Sequence, residues 1–387
     1  MKILAVCARI PVADNGSGDQ ILSFQRLTYL ARMHDVQIIC FSLGSNSLRD
    51  KTALENLGIK VNLVNWNYVE ATWFVFISIF KNKTPFQCAF FKSFRYQRLY
   101  FKLIFEFQPD IIYAVTIRPL LNINILDIYL YIDLIDSMGL NFFRRMNASS
   151  GLRKFLFHIE SKRVLDFERW VAKNSKKSFI VSNIDRNYIG VDSIFVLPIG
   201  VNFDVFKRYE ISKPNPLIVF SGNMSYQPNI ESICWFVKNC WKFVIDKYPT
   251  AKLLIVGNHP TNIIKNLSVD SSIKVTGRVD SIAAILNLAQ VAIAPMRSGS
   301  GMQFKILEAM ACAVPVVATR IGLGDIRAKI GEEILVGDDP HEIAQLIIEL
   351  LKDEKRRVAV SQAGYRYVRN NHGWDSINRV FSNICKI

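Results

Sequence analysis

Short apolar runs alternate with longer amphipathic stretches along the whole chain. In the first half the runs are KILAVCA, VQIICFS, KVNLVN, DIIYAV, YLYIDLID and KSFIVS. In the second they are LIVFSGN, KLLIVG, IKVTG, VAIAPM, PVVAT and EILVGDD. They are unbroken rather than alternating, so each strand is expected to be buried on both faces. That pattern predicts parallel sheets with helices on each side. The two series part at LPIGVNFDVFKRYEISKPNP, residues 197–216, whose prolines and polar residues suit a linker. The expectation is therefore two doubly wound α/β domains, residues 1–200 and 201–371. Open parallel sheets bind ligands at the carboxyl ends of their strands, so a cleft between the two domains is the expected site.

At 387 residues and half hydrophobic, the chain is long enough to give each domain its own core. The seven cysteines are scattered, mostly flanked by apolar residues and never in CxxC spacing. They read as small core residues of a reducing compartment. The first apolar run meets Arg9 and Pro11 too soon for a signal peptide, and no stretch reaches the roughly eighteen apolar residues of a membrane span. A cytoplasmic protein is expected. The net charge of +15 points to a negatively charged surface or ligand. Cations interleaved with aromatics gather in FFKSFRYQRLYFKLIFEF (90–107) and GLRKFLFHIESKRVLDFERWVAKNSKK (151–177). Such stretches are either ordinary amphipathic helices with a solvated basic face or surfaces lying on anionic lipid, which would place the protein peripherally on the inner membrane face. No zinc-finger, RNP or other nucleic-acid motif is present, so nucleic acid is not an expected partner.

Several second-domain loops pair a strand end with glycine and a polar residue: Gly222 and Asn223 in FSGNMSYQPN, then VGNHP, then VTGRVD. The fourth, PMRSGSGMQFKILEAM, carries the densest chemistry. Gly299 and Gly301 let a backbone approach a ligand closely. The helix that follows offers free N–H groups and a positive dipole end, which suit a diphosphate, with Arg297 and Lys305 as cationic contacts. Glu308 lies within an almost wholly apolar run, where a carboxylate costs several kcal/mol unless hydrogen bonds reach it. A ribose offers two adjacent hydroxyl donors to such a group. The alternative is that Glu308 caps its own helix or pairs with Lys305.

These motifs resemble those of family-4 retaining glycosyltransferases, whose GT-B fold has two facing Rossmann-like domains with a cleft between them. RIPVADNGSGDQILSFQRLTYLARMHDVQIICFS is similar to the family's first strand, glycine loop and helix, and VLPIGVNFDVF to its linker. LIVFSGNMSYQPNIESICWF, the stretch from VTGRVD to PVVAT, and the terminal HGWDSINRVF follow in the same order. The resemblance is closest to bacterial sugar transferases of surface polysaccharide and O-antigen (lipopolysaccharide) assembly. It implies an N-terminal acceptor-binding domain, onto which a final helix at about 372–387 packs back, and a C-terminal nucleotide-sugar-binding domain.

The resemblance further implies transfer of a hexosyl sugar from a UDP- or GDP-linked donor, with retention, to a glycan or polyprenyl-diphosphate-linked acceptor. Catalytic roles fall to Asp136, Glu308 and Lys305. Donor contacts fall to Gly16, Gly18, Gly222, Asn223, Arg278, Val279, Arg297, Ser300, Gly301, Met302, Gln303, Lys305 and Glu308. Acceptor contacts fall to Arg118, Asp133 and Asp136. No DxD-like carboxylate pair stands in a loop, so neither a metal nor another cofactor is expected. Three departures bear on this. Ser300 stands where the family's E-x7-E has its first Glu, SGNMSYQPN lacks the usual Arg and Lys, and DLIDSMG replaces a histidine. In that last motif Asp136 either acts at the transfer point or simply caps a turn. A catalytically silent GT-B subunit supporting a partner enzyme is the alternative reading. A dinucleotide oxidoreductase fits worse, since CARIPVADNGSGD is not G-x-G-x-x-G.

Overall fold

A computed structural model of the chain describes residues 1–13, 16–43, 47–80, 83–125, 129–147, 149–209, 216–298 and 302–386. The chain divides into two units. Met1–Leu197 with Asn378–Ile387 form the first and Pro198–Ile377 the second.

The first unit is built on seven parallel strands: β1 (Lys2–Cys7), β2 (Asp35–Ser42), β3 (Lys60–Asn65), β4 (Ile111–Val115), β5 (Leu130–Ile135), β6 (Lys177–Ile180) and β7 (Ile194–Val196). Their order is β3-β2-β1-β4-β5-β6-β7. The second unit has six: β8 (Leu217–Ser221), β9 (Lys252–Val256), β10 (Ile273–Gly277), β11 (Val291–Ala294), β12 (Val316–Ala318) and β13 (Leu335–Val336). They run in the order β10-β9-β8-β11-β12-β13. Every pairing between these strands is parallel. The central strands β1, β4, β5 and β11 are almost wholly buried, as unbroken apolar runs require. The two doubly wound parallel sheets expected from the sequence are therefore present. Strand β7 was not expected, because three residues, one of them the exposed Phe195, leave too short a pattern to read.

Two buried polar devices tie the first unit together. Arg26, on helix Gly18–Ala31, forms a fully buried ion pair with Asp133 of β5, and the Tyr113 hydroxyl of β4 donates to the same carboxylate at 2.8 Å. The guanidinium also lies 5.4 Å from the Phe381 ring of helix Trp374–Cys385. The second device is helix Gly151–Asn174. Its buried Glu160 accepts from the N–H groups of Phe86 and Gln87, at the start of helix Phe86–Phe90. Its Glu168 accepts from Ser137 Oγ and from the N–H of Met138, where helix Met138–Asn147 begins. Its Arg163 donates to the carbonyls of Ser78 and Ile79, at the end of helix Tyr68–Phe80. One face of this strongly cationic helix is thus occupied in satisfying the ends of three others. The seven cysteines form no disulfide, and all but Cys234 are buried.

Arg26→Met should cost about 3–5 kcal/mol, because it strands the Asp133 carboxylate in the core. Arg26→Met combined with Asp133→Leu should recover most of that loss. Denaturant unfolding of the two variants checks both, and a double variant no more stable than the single would refute this account of the pair.

Candidate functional site

In the second unit three glycines end three neighbouring strands: Gly222 after β8, Gly257 after β9 and Gly277 in β10. The Gly222 N–H donates to the Val256 carbonyl, and the Gly257 N–H to that of Gly277, each at 3.0 Å. Gly257 has φ +147°, and a Cβ there would lie 1.7 Å from the Gly222 carbonyl oxygen. At Gly222, with φ +150°, a Cβ would fall 2.7 Å from Asn229 Nδ2 and 3.4 Å from Lys305 Nζ. Only glycine lets the backbone here come so close to both side chains.

Lys305 is buried. Its ammonium donates to Asn229 Oδ1 at 2.6 Å, meets Met296 Sδ at 3.6 Å and lies 4.2 Å from the Phe220 ring centre. Asn229 Nδ2 in turn donates to the Asn223 carbonyl at 2.9 Å. Burial pushes the Lys305 pKa down to about 7, with Glu308 pulling the other way. Glu308 stands one turn along the same helix, Phe304–Ala311, and is partly buried. Burial pushes its carboxyl up to about 7 against the pull of Lys305. Among the described residues its carboxylate accepts no hydrogen bond and forms no ion pair within 4.0 Å. The ammonium turns to Asn229 rather than to Glu308, although the two charges still attract, and the Gln303 side chain does not cap the helix.

The other donor candidates of the second unit stand on loops after β10 and β11 of the same sheet. Arg297 is exposed, with its guanidinium 4.4 Å over the Trp235 ring of helix Gln227–Phe236. Arg278 is exposed and Val279 partly buried, both just after β10. Met302 and Gln303 are partly buried at the start of the Phe304 helix, whereas Gly299, Ser300 and Gly301 lie outside the described residues.

In the first unit the ends of the adjacent strands β1, β4 and β5 carry a second group. Asp19, in the first turn of helix Gly18–Ala31, accepts from Arg118 Nη1 at 3.2 Å and lies 3.7 Å from Arg9 Nη1. Burial would raise its carboxyl, but Arg118, Arg9 and hydrogen bonds outweigh that and hold it below the usual value. Gly16 admits no side chain, since a Cβ would lie 2.3 Å from Val12 Cγ2, and Gly18 opens the helix behind the Ser17–Gln20 capping box. Thr116 and Ile135, at the ends of β4 and β5, have φ +61° and +68°. Left-handed backbone at β-branched residues is strained and gathers at functional sites. Asp136 follows Ile135 directly and is partly buried, beside Glu168, whose pKa burial raises to about 8.

Asp133 requires a correction. It was expected at the acceptor alongside Asp136, but it has no exposure and its carboxylate is taken by Arg26 and Tyr113. Conversely Arg9, Asp19 and Asn229 join the two groups without having been singled out. All three stood in the loops already read, but their partners lie elsewhere in the sequence.

The opposed shifts of Glu308 and Lys305 predict a stability minimum. Between pH 4.5 and about 7 the fold holds a proton on Glu308 that the unfolded chain has lost, so this contribution falls as pH rises. Between about 7 and 10.5 the unfolded chain holds the extra proton on lysine, so stability recovers. The double variant Glu308→Gln/Lys305→Met should exceed the unmodified protein in melting temperature most near pH 7, and less toward acid and alkali. A difference that does not vary with pH would refute the assignment.

Known proteins share sequence and fold with this chain. Residues 215–353 match the family model described as glycosyl transferases group 1. An uncharacterized 44.6 kDa protein in the cps region of Klebsiella pneumoniae is 28% identical over 189 residues, 47% of this chain and 48% of the relative. The GDP-mannose-dependent monoacylated alpha-(1-6)-phosphatidylinositol monomannoside mannosyltransferase of Corynebacterium glutamicum is 33% identical over 153 residues, 36% of this chain and 40% of the relative. The chain thus spans less than half the length of these curated relatives. Among solved structures, Anabaena HepE in complex with UDP-glucose aligns over 100% of this chain and 99% of that one, with TM-score 0.72 at 14% identity. The protein therefore has the GT-B fold, and residues 215–353 of its second unit match a group 1 glycosyl transferase domain.

Proposed function

We propose that the protein is a retaining family-4 glycosyltransferase. It moves a hexosyl sugar from a UDP- or GDP-linked donor to a glycan or lipid-linked glycan in bacterial surface polysaccharide or O-antigen assembly, working at the inner face of the cytoplasmic membrane. One observation carries the reading. At the carboxyl edge of the second sheet a buried ammonium, a glycine backbone and a helix start without a side-chain cap from Gln303 stand beside a carboxylate that accepts no hydrogen bond among the described residues. A nucleoside diphosphate supplies what each lacks: phosphate oxygens for Lys305 and the helix N–H groups, ribose hydroxyls for Glu308.

On this reading the developing charge of the leaving diphosphate is stabilised by Lys305 and the helix start without a metal ion. A diphosphate would also restore the charge that burial weakens on Lys305. Arg118 and Asp136 act on the acceptor side, where strained backbone at Thr116 and Ile135 holds the loops after β4 and β5. The relatives agree in kind. One bears a name specifying GDP-mannose, one was solved with UDP-glucose, and one is described from a cps region.

A thermal-shift panel of UDP-, GDP- and dTDP-sugars against NAD tests the proposal, followed by an assay of nucleoside diphosphate release with the sugar that stabilises. Stabilisation by nucleotide sugar with no release or transfer would favour the silent-subunit reading. Response to NAD alone would sink both.

Two variants sharpen it. Glu308→Gln turns one acceptor into a donor facing a ribose hydroxyl. Charge-assisted bonds contribute roughly 1.5–3 kcal/mol, so nucleotide affinity should fall by about one to two powers of ten, while ligand-free stability holds or rises. Isothermal titration with UDP or GDP, read beside unfolding of the same variant, decides. Asp136→Asn should lower turnover by about a hundredfold, the low end for a positioned carboxylate, with nucleotide affinity unchanged. Matched losses of turnover and melting temperature would instead mark Asp136 as a turn cap.

A further inference from the structure

Helix Tyr68–Phe80, YVEATWFVFISIF, is apolar all round, yet only Ala71, Phe74 and Ser78 are buried. A helix of that composition ordinarily lies inside a core. Here Val69, Trp73, Phe76 and Phe80 are exposed by 76%, 59%, 53% and 75%, at spacings of four, three and four residues that make one continuous outer stripe. The rings touch along it, Trp73 to Phe76 at 6.3 Å and Phe76 to Phe80 at 5.5 Å. The helix's only charge, Glu70, is turned inward. Its carboxylate accepts from Ser93 Oγ and the Phe94 N–H, capping helix Phe94–Phe107.

Two cationic helices pack against helix Tyr68–Phe80. Helix Phe94–Phe107 joins it through Glu70 and the Phe74–Phe94 ring contact at 5.2 Å, and it exposes Phe101 and Phe105 beside Arg95, Arg98 and Lys102. Lys102 also lies 3.7 Å from Glu106. Helix Gly151–Asn174 joins it through Arg163 on the Ser78 and Ile79 carbonyls. Leu152 and Leu156 lie on the same side of that helix as Arg163 and are exposed, with Arg153, Lys154 and Lys162 exposed around them.

We propose that the outer face of helix Tyr68–Phe80, rimmed by these cations, docks on an anionic lipid bilayer, its rings at the acyl boundary and the cations at the headgroups. The proposal rests on the peripheral location given above but not on sugar transfer. Charge complementarity selects the occupant: an exposed apolar stripe on a helix packed against two helices with exposed cations matches a bilayer whose surface is uniformly negative. It also puts the docking centre on a helix that carries no Lys or Arg, whereas the basic stretches of the sequence form its rim.

Flotation of the full chain with vesicles tests it. The protein should bind phosphatidylcholine vesicles containing one-third phosphatidylglycerol, and Trp73→Glu with Phe76→Glu should lower that partition by about tenfold or more. Arg95→Gln, Arg98→Gln and Lys102→Gln together should remove the preference for anionic over pure phosphatidylcholine vesicles. Trp73→Ser with Phe76→Ser gives the same test should the charged variant fail to fold. Unchanged partition by either Trp73/Phe76 variant, or no binding by the unmodified protein, would overturn the proposal. So would a dimer in sedimentation that these variants dissociate without any vesicle binding, which would make the face a self-association surface. The thermal response to UDP- and GDP-sugars, read on the same samples, keeps the readings apart. Vesicle binding lost with that response intact concerns this face, and the reverse concerns sugar transfer.

Discussion

The first unit depends on one buried charge being answered. Asp133 sits on the buried strand β5, where an unpaired carboxylate is intolerable, and Arg26 reaches it from helix Gly18–Ala31 across 107 residues of sequence. Pairing fixes how that helix lies over β4 and β5. The helix start, with Ser17 and Asp19, is thereby held near Arg9 and Arg118. The strand end that follows Asp133 turns at Ile135 and presents Asp136. Phe381 closes the arrangement, packing over Arg26 and against Tyr113 and Phe179, so the end of the chain belongs to the core of its beginning.

The second unit handles buried charge the other way. Lys305 has one strong partner in Asn229, Glu308 accepts no hydrogen bond among the described residues, and burial drives both toward neutrality. The Arg26–Asp133 pair, in direct contact and fully buried, is scaffold, although Arg26 Nε and Nη2 find no hydrogen-bond partner among the described residues. A buried pair whose members are left short of partners, at a strand edge opened by glycines, is where ligand chemistry belongs. Asp133 and Asp136, three residues apart in one motif, differ in burial: Asp133 has no exposure and is held by Arg26 and Tyr113, whereas Asp136 is only partly buried.

Helix Gly151–Asn174 joins the two themes. Its buried Glu160, Arg163 and Glu168 each cap one end of a neighbouring helix, while its outward face mixes Arg and Lys with exposed apolar residues such as Leu152 and Leu156. The surrounding helices are positioned by side-chain caps rather than by apolar packing alone. That leaves the outer stripe of helix Tyr68–Phe80 exposed without loosening the fold.

Much was legible from the chain alone, because the signals are local. Unbroken apolar runs give buried parallel strands, glycines at their ends give open loops, and Lys305 and Glu308 share one turn of helix by spacing. The two sheets and the candidate donor loop follow from these, and the group 1 domain lies where that loop stands. What tertiary structure decided is which residues meet. DLID holds two carboxylates that no periodicity ranks, and only Arg26 and Tyr113, brought in from distant segments, commit Asp133 to the core. Lys305 finds Asn229 across 76 residues rather than Glu308 across three. Helix Tyr68–Phe80 reads as a core element by composition, and its exposure depends on what the fold leaves uncovered. Local pattern sets secondary structure through interactions a few residues long, whereas burial and pairing are set by long-range approach, which composition and spacing do not encode.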